Sequence, residues 1–263
     1  MTDLALVGAQ IRYEQKSYWR NPGAAVFTFL FPMVLFLIFL STAGQQHDKG
    51  DLGTYLHDGQ LVTVKLVQYY SPSILAYAVM SSCFLAVALG LVRQREAGIL
   101  KRMRGTPLPA WTYLGGVIGS SVIVALLLAV VCMLVATVGY GAWFPAGHLL
   151  PLAVTVVLAS LTFCALGIAA SSLIPNVDSS QAIINLPYFV LVFISGAYFP
   201  ISGTLARISK DLPLRPMIVS MYKVFDPTNT GRIWDGRDLM VLAMWGVGAT
   251  IFAVRRFVWT PRR

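Results

Sequence analysis

Residues 93–107 read RQREAGILKRMRGTP, which is the densest cluster of charge in a strongly apolar chain. Apolar segments long enough to cross a bilayer, residues 71–92 and 114–138, flank this cluster. A short, basic, helix-compatible connector in this position has two roles open to it. It can hold the orientation of the protein in the membrane, or it can be bound by a partner in the cytosol.

The composition excludes an ordinary soluble domain. The chain has 263 residues, of which 57% are hydrophobic and 12% are charged, and its mean hydropathy is +0.70. Soluble domains carry about 25% charged residues. The net charge of +9 comes from basic residues that flank apolar spans, so we expect lipid headgroups rather than nucleic acid as their partners. The sequence therefore predicts a polytopic membrane protein.

Long apolar runs predict six transmembrane helices in an all-α fold. No Asp, Glu, Lys or Arg occurs between Arg104 and Asp178, and the turn-forming segment 139–148 divides this run into two spans. The sixth span is short, so Arg255 and Arg256 are expected to extend it to the interface. The predicted spans are 24–43, 71–92, 114–138, 149–173, 183–200 and 239–255.

Three segments outside the spans differ in character. Residues 2–20 are too polar to span and carry apolar residues from Leu4 to Ile11 near one stripe, which predicts an interfacial amphipathic helix; a solvated tail is the alternative. Residues 44–70 are polar and predict an outside loop. Residues 202–237 contain apolar stretches too short to span, so we expect short re-entrant or interfacial helices there, packed on the fifth and sixth spans.

The distribution of basic residues predicts the orientation. With six spans both termini lie on one side, which carries twelve Lys and Arg residues against eight on the other. By the positive-inside rule, we expect the termini and the 93–107 connector to be cytoplasmic. Six of the basic residues on the outer side lie in the single segment 203–237.

The chain shows no motif for chemistry of its own. It has no GxxxxGK[ST] phosphate-binding loop, and no charged residue lies in the middle of a predicted span. Cys83, Cys132 and Cys164 each fall inside an apolar run and are interpreted as buried small hydrophobes, without a disulfide or a metal. We expect no catalytic residue, no metal and no cofactor bound by this chain, so any energy for its work would come from a partner.

The order of these features resembles the permease subunit of type-2 ATP-binding-cassette exporters, the ABC-2 family. Residues 95–108, REAGILKRMRGTPL, are similar to the family's signature after the second span. Residues 186–187 (LP) and 195–202 (SGAYFPIS) resemble its fifth span. Residues 20–22 (RNP) and 31–32 (FP) resemble drug-exporter members, and the set covers nearly the whole chain.

The resemblance implies a multi-pass protein of the bacterial plasma membrane, paired with a second permease copy or a different permease. It also implies two copies of a cytosolic ABC ATPase subunit that holds ATP and Mg. The family's coupling helix would lie at Glu96–Arg104, with an apolar stripe in a groove of the ATPase and charges at the rim. A connector that only holds the topology is the alternative. The stripe consists of Ile99, Leu100 and Met103, and the rim of Arg95, Glu96, Arg102 and Arg104.

Aromatic residues in the first, second and fifth spans are candidates for a substrate pathway between two permeases, because they suit hydrophobic or amphipathic cargo. Ordinary helix packing or lipid contact is the alternative for each. The motif Gly115-x-x-x-Gly119 permits close helix packing and suggests a dimer contact. The candidate pathway residues are Phe27, Phe31, Tyr77, Phe84, Tyr188, Phe189 and Phe193.

The expected function is ATP-driven export of drug-like or lipid-like molecules, as in antibiotic efflux, by a transport subunit that is not itself an enzyme. Export of a lipid-linked glycan or polymer is one alternative. A membrane scaffold without transport is another. The cytoplasmic turn 173–181 is interpreted either as a lesser contact with the ATPase or as a plain turn.

Overall fold

The computed structural model describes residues 3–44, 52–57, 60–106, 108–196, 203–226, 234, 236–257 and 259. Within these ranges the chain forms α-helices and one β-hairpin. In chain order the elements are α1 (Asp3–Trp19), α2 (Pro22–Gly44), β1 (Leu52–His57), β2 (Gln60–Lys65), α3 (Leu66–Met80), α4 (Ala86–Glu96), α5 (Ile99–Arg104), α6 (Ala110–Leu134), α7 (Leu149–Ser171), α8 (Val177–Ile194), α9 (Gly203–Ser209), α10 (Leu214–Phe225) and α11 (Gly236–Arg256).

Helices of the described residues supply five segments long and apolar enough to cross a membrane. Each predicted span after the first overlaps one of them, which confirms a helical membrane protein. The apolar part of α2, Ala25–Phe39, is shorter than these five. The end of the predicted fifth span, residues 197–200, lies outside the described residues. The five segments are Tyr70–Glu96, Ala110–Gly139, Ala146–Ser171, Val177–Ile194 and Gly236–Arg256.

The segment Tyr70–Glu96 forms the centre of the bundle. Within the apolar 18-residue stretch of each span, 78% of this segment is buried inside the protein, against 22% for α8 and 17% for α11. Cys83 lies in this centre, and Cys132 and Cys164 also pack into the main core as free, buried thiols, as predicted. The low burial of α8 and α11 leaves one face of each helix to lipid or to another chain.

A π-helical turn, Ser81–Leu85, joins α3 to α4 within the central segment. Such turns change which residues face a neighbouring helix and are frequent at functional sites. The carbonyl oxygen of Phe84 faces Gly167 of α7, where an added Cβ would come within 2.8 Å of that oxygen. Gly167 therefore permits direct backbone contact between the second and fourth predicted spans.

A β-hairpin occupies part of the segment that the sequence predicted as a polar loop. β1 and β2 are antiparallel, with Leu52 opposite Lys65 and His57 opposite Gln60. The β-branched residues of Gln60–Lys65 favour an extended strand, and the intervening Asp-Gly pair is typical of hairpins. The loop prediction therefore missed local structure, and its residues 45–51 lie outside the described ranges.

Two short helices, α9 and α10, occur in the segment 203–226, where the sequence predicted short helices. α10 carries apolar residues at helical spacing, and Met217, Met221 and Phe225 are almost completely buried. It packs against α3, α7 and α11, whereas α9 contacts α8. The prediction named the fifth and sixth spans as neighbours and missed the contacts of α10 with α3 and α7.

The N-terminal helix α1 packs along α6 through small residues. A Cβ added to Gly116 would lie 2.1 Å from Cγ of Gln10, and one added to Gly119 would lie 2.6 Å from Cδ1 of Ile11. Nε2 of Gln15 donates to the carbonyl oxygen and to the hydroxyl of Ser120, at 2.9 and 3.0 Å. The glycine motif of α6 thus serves a contact within the chain, and its interpretation as a dimer contact is wrong.

Candidate functional site

The basic connector consists of the end of α4, a left-handed turn and the short helix α5. α4 ends at Glu96, where the amides of Ala97 and Gly98 donate to carbonyl oxygens of the last turn at 2.9 and 3.0 Å. Gly98 has φ of 70°, which glycine adopts without strain, and α5 then starts at Ile99. The predicted single helix Glu96–Arg104 is therefore wrong in its first turn, because Gly98 interrupts it.

Arg95 is only 2% exposed. Its guanidinium caps the C-terminal end of α7. Nη1 donates to the carbonyl oxygen of Ser171 at 3.2 Å, and Nη2 donates to those of Ile174 and Pro175 at 2.8 and 3.1 Å. Carbonyl groups at a helix C-terminus lack intrahelical partners and carry partial negative charge, so a buried cation stabilises them. Nε also lies 3.2 Å from the carboxylate of Glu96.

This geometry corrects the predicted rim of the coupling site. Arg95 is wrong as a rim residue, because its donors are directed to carbonyl groups at the end of α7 and in the turn after it. Glu96 is partly buried and pairs with Arg95 within the chain. Arg102 and Arg104 are exposed on α5, as a rim requires.

One side of α5 faces the bundle and the other faces outward. Leu100 is 1% exposed and belongs to the main core, and Met103, three residues later on the same face, packs against that core. Ile99 is 39% exposed. The prediction of one stripe directed at a partner is therefore wrong for Leu100, whose side chain fills the chain's own core. The outward surface of α5 consists of Ile99, Lys101, Arg102 and Arg104.

The turn between α7 and α8 lies directly beside the connector. Oδ1 of Asn176 accepts a hydrogen bond from the amide of Ser179 at 2.9 Å, which caps α8 and starts it at Val177. The predicted fifth span started later, at residue 183, because the polar first turn of α8 is not apolar enough to be counted. Since Arg95 binds the carbonyl groups of this turn, the connector and the turn form one continuous surface.

Five of the seven predicted pathway residues form a row of rings, here called the aromatic row. It runs from α2 through α3 to α8, with centroid separations in the range typical of aromatic pairs. Its middle is buried, while Phe27 and Phe189 at its ends are exposed. The separations are 5.0 Å for Phe27–Phe31, 6.1 Å for Phe31–Tyr77, 5.7 Å for Tyr77–Tyr188 and 5.5 Å for Tyr188–Phe189.

The other two predicted pathway residues lie elsewhere. Phe84 is buried in the π-helical turn, where it belongs to the main core. Phe193 lies one helical turn after Phe189 and extends the exposed face of α8. An apolar groove of about 520 Å³ runs along α2 and includes Phe27 and Phe31 in its lining, so the α2 end of the row opens onto this groove.

A family model described as "ABC-2 family transporter protein" matches residues 51–255 of the chain. The matched residues include the hairpin, the connector, and Arg95 together with the carbonyl groups that it binds. They also include the residues of the aromatic row that lie on α3 and α8. α1 and α2 lie before the match. No curated protein matches the chain.

Proposed function

Because the chain belongs to the ABC-2 family of transporter proteins, we propose that it is the permease subunit of an ATP-driven exporter for hydrophobic or amphipathic molecules. The cargo in this proposal is drug-like or lipid-like. Two copies of a separate cytosolic ATPase subunit hold ATP and Mg, since the sequence contains no phosphate-binding loop. The protein lies in the bacterial plasma membrane with both termini in the cytosol.

Six spans are part of this proposal, and the length of α2 supports the first. α2 has 23 residues. At about 1.5 Å per residue it extends over about 35 Å, which exceeds a hydrocarbon core of about 30 Å. Arg12, Lys16 and Arg20 precede α2 and hold its N-terminal end at the cytosolic headgroups in this proposal. α1 then lies at the cytosolic interface, along the end of α6.

The observation that carries the proposal is that one side of the connector packs into the bundle and the other side is exposed. Leu100 attaches α5 to the main core, and Arg95 attaches the preceding turn to the end of α7. A displacement of α5 by a bound ATPase would therefore move α7 and the start of α8 with it. Ile99, Arg102 and Arg104 are exposed for the contact with that ATPase.

The proposed pathway follows the aromatic row to a second permease. The exposed ends of the row lie on α2 and α8. Little of the apolar surface of α8 is buried within the chain. A second copy that packs on these two helices would cover their apolar faces. The row and the groove along α2 would then line a route that suits an amphipathic cargo.

The experiment is to reconstitute the chain with the ABC ATPase subunit that copurifies with it and to compare Ile99→Asp with the natural protein. Because Ile99 is exposed, the variant is expected to keep its melting temperature while losing cargo-stimulated ATPase activity and transport. Ala9→Asp, at an exposed residue of α1 outside the predicted apolar stripe, is the control. Leu100→Asp is not a suitable test of the ATPase contact, because a charge buried in the core would unfold the protein.

Two results contradict the proposal. Normal transport by Ile99→Asp would exclude α5 as the coupling contact. Recovery of the tagged chain in a gentle detergent without any ATPase subunit would count against the permease assignment as a whole.

A further inference from the structure

A cavity of about 250 Å³ lies between α1, α2, α4 and α6, and none of the aromatic-row residues lines it. The polar residues that line the cavity include Glu14, Tyr18, Gln94 and Tyr113. The hydroxyl of Tyr113 donates to Oε1 of Gln94, which ties α6 to α4 at the wall of the cavity. The apolar part of the lining consists of Ala86, Val87, Leu91, Val117 and Val124.

Glu14 is the only charged side chain among the described residues that line this cavity. Its Oε1 accepts a hydrogen bond of 2.9 Å from Nε2 of Gln10, which is a neutral donor. No ion pair of Glu14 occurs in the part of the chain that the structure describes. Burial raises the pKa of Glu14, and the hydrogen bond from Gln10 opposes that rise. A carboxylate removed from water without a cation is unfavourable, and a cationic ligand would relieve that cost.

The remaining walls favour an organic cation over a metal ion. Tyr18 and Tyr113 bring two aromatic rings to the cavity, and aromatic rings attract ammonium groups. The hydroxyl of Ser120 is one of several neutral acceptors among the lining residues. The apolar lining residues suit the hydrocarbon body that carries the charge.

We propose that this cavity binds a protonated amine carried on an apolar body, with the Glu14 carboxylate as its counter-ion. The amine comes either from an aminophospholipid headgroup or from a free lipophilic amine. Binding requires only this chain, so it can be tested without the ATPase subunit, and its failure leaves the transport proposal untouched.

The test is equilibrium dialysis of the purified full-length chain, in a neutral detergent, with phenylethylammonium as the probe. Saturable binding is expected, and Glu14→Gln, which keeps the shape of the side chain, should weaken it about tenfold or more. Asp3→Asn removes an exposed carboxylate from the same helix and should leave the affinity unchanged. Equal affinity for 2-phenylethanol, the uncharged analogue, would overturn the proposal.

A second variant fills the cavity and leaves its charge in place. Gly90 lines the cavity, and a Cβ added there meets no atom within 4 Å, so Gly90→Leu should fold and occupy the space. The matched control is Gly248→Leu on the exposed side of α11, where an added Cβ also meets nothing within 4 Å. Loss of probe binding only in Gly90→Leu is expected. Undiminished binding by both Gly90→Leu and Glu14→Gln would show that the probe binds elsewhere.

The source of the amine follows from the surrounding lipid. The dialysis is repeated in nanodiscs of phosphatidylglycerol, with and without added phosphatidylethanolamine. If phosphatidylethanolamine competes with the probe in the natural protein and not in Glu14→Gln, the site takes a lipid headgroup. If the affinity for the probe is unaffected by that lipid, the site takes a free lipophilic amine.

Discussion

Nη2 of Arg95 lies 2.8 Å from the carbonyl oxygen of Ile174, although the two residues are 79 positions apart in the chain. This hydrogen bond joins the last turn of α4 to the turn that follows α7. It places the α4–α5 connector and the α7–α8 turn on one surface, so that the two cannot move independently. The basic connector 93–107 looks like a surface cluster of positive charge in the sequence. Arg95, however, is buried and has a structural role.

Replacement of Arg95 should destabilise the protein. Arg95→Gln removes a buried cation from the carbonyl groups of Ser171, Ile174 and Pro175, at a cost of about 3 kcal/mol in the free energy of unfolding. Arg95→Lys should recover only part of this loss, because an ammonium group lacks the forked geometry of a guanidinium. The apparent melting temperature in detergent measures the effect. Arg93→Gln, at an exposed arginine of the same helix, should leave it unchanged.

Substitution of Gly116 should separate α1 from α6. A Cβ at this position would lie 2.7 Å from Cβ of Gln10, so Gly116→Ala forces the two helices apart at a cost of about 1–3 kcal/mol. Hydrogen exchange of the α1 amides is expected to accelerate. Gly115→Ala is the control, because its Cβ would meet Val7 at an ordinary distance of 3.8 Å. Identical exchange rates in the two variants would contradict the close packing of α1 on α6.

Truncation of the exposed end of the aromatic row should change transport without changing stability. Phe189 is half exposed on α8 and contacts the buried ring of Tyr188. Phe189→Ala is expected to raise the KM for an amphipathic cargo several-fold while the melting temperature stays the same. Phe252→Ala removes a partly exposed ring from α11 and should affect neither quantity. An equal rise in KM in both variants would show that the row has no special role.

Glu14 should make the stability of the protein depend on pH. Burial raises its pKa above 4.5, so the folded chain holds this proton more tightly than the unfolded chain does. At pH values well below 4.5 Glu14 is protonated in both the folded and the unfolded state, so no penalty exists. The penalty develops as the pH rises above 4.5 and is complete above the raised pKa of the folded state. Glu14→Gln should therefore raise the melting temperature at about pH 8 and leave it nearly unchanged near pH 4.5. A stabilisation that is largest at low pH would reverse the predicted sign.

Much of the membrane-spanning architecture could be predicted from the sequence, because a bilayer imposes a demand that is visible locally. A span requires about 20 apolar residues, and the chain separates such runs by charged or turn-forming segments. The resemblance to ABC-2 permeases, based on the 95–108 signature and the fifth span, is confirmed by the family match. Five of the seven predicted pathway aromatics also lie in contact, because they occur on helices that pack together.

The sequence-based predictions that the structure contradicts mostly concern which part of the molecule a residue contacts. Leu100 and Ile99 are adjacent apolar residues, and nothing in their sequence shows that one enters the core while the other faces outward. The glycines of α6 predict close helix packing and suggest a dimer contact, but a small-residue motif does not identify the partner helix, which is α1 of the same chain. The prediction of a loop is wrong for the β-hairpin, because the Gly, Asp and Lys residues before β1 are typical of a polar loop and conceal the strand pattern that follows.

The sequence by itself determined the membrane-protein class, the approximate positions of the spans, the basic connector and the family to which the chain belongs. These properties depend on local composition and on the order of the segments along the chain. Only the tertiary structure decided that Arg95 binds the carbonyl groups at the end of α7, that α1 covers the glycines of α6, and that Glu14 lines a cavity in which no Lys or Arg is among the described lining residues. Each of these depends on contacts between segments distant in the chain, and such contacts are set by helix packing rather than by periodicity.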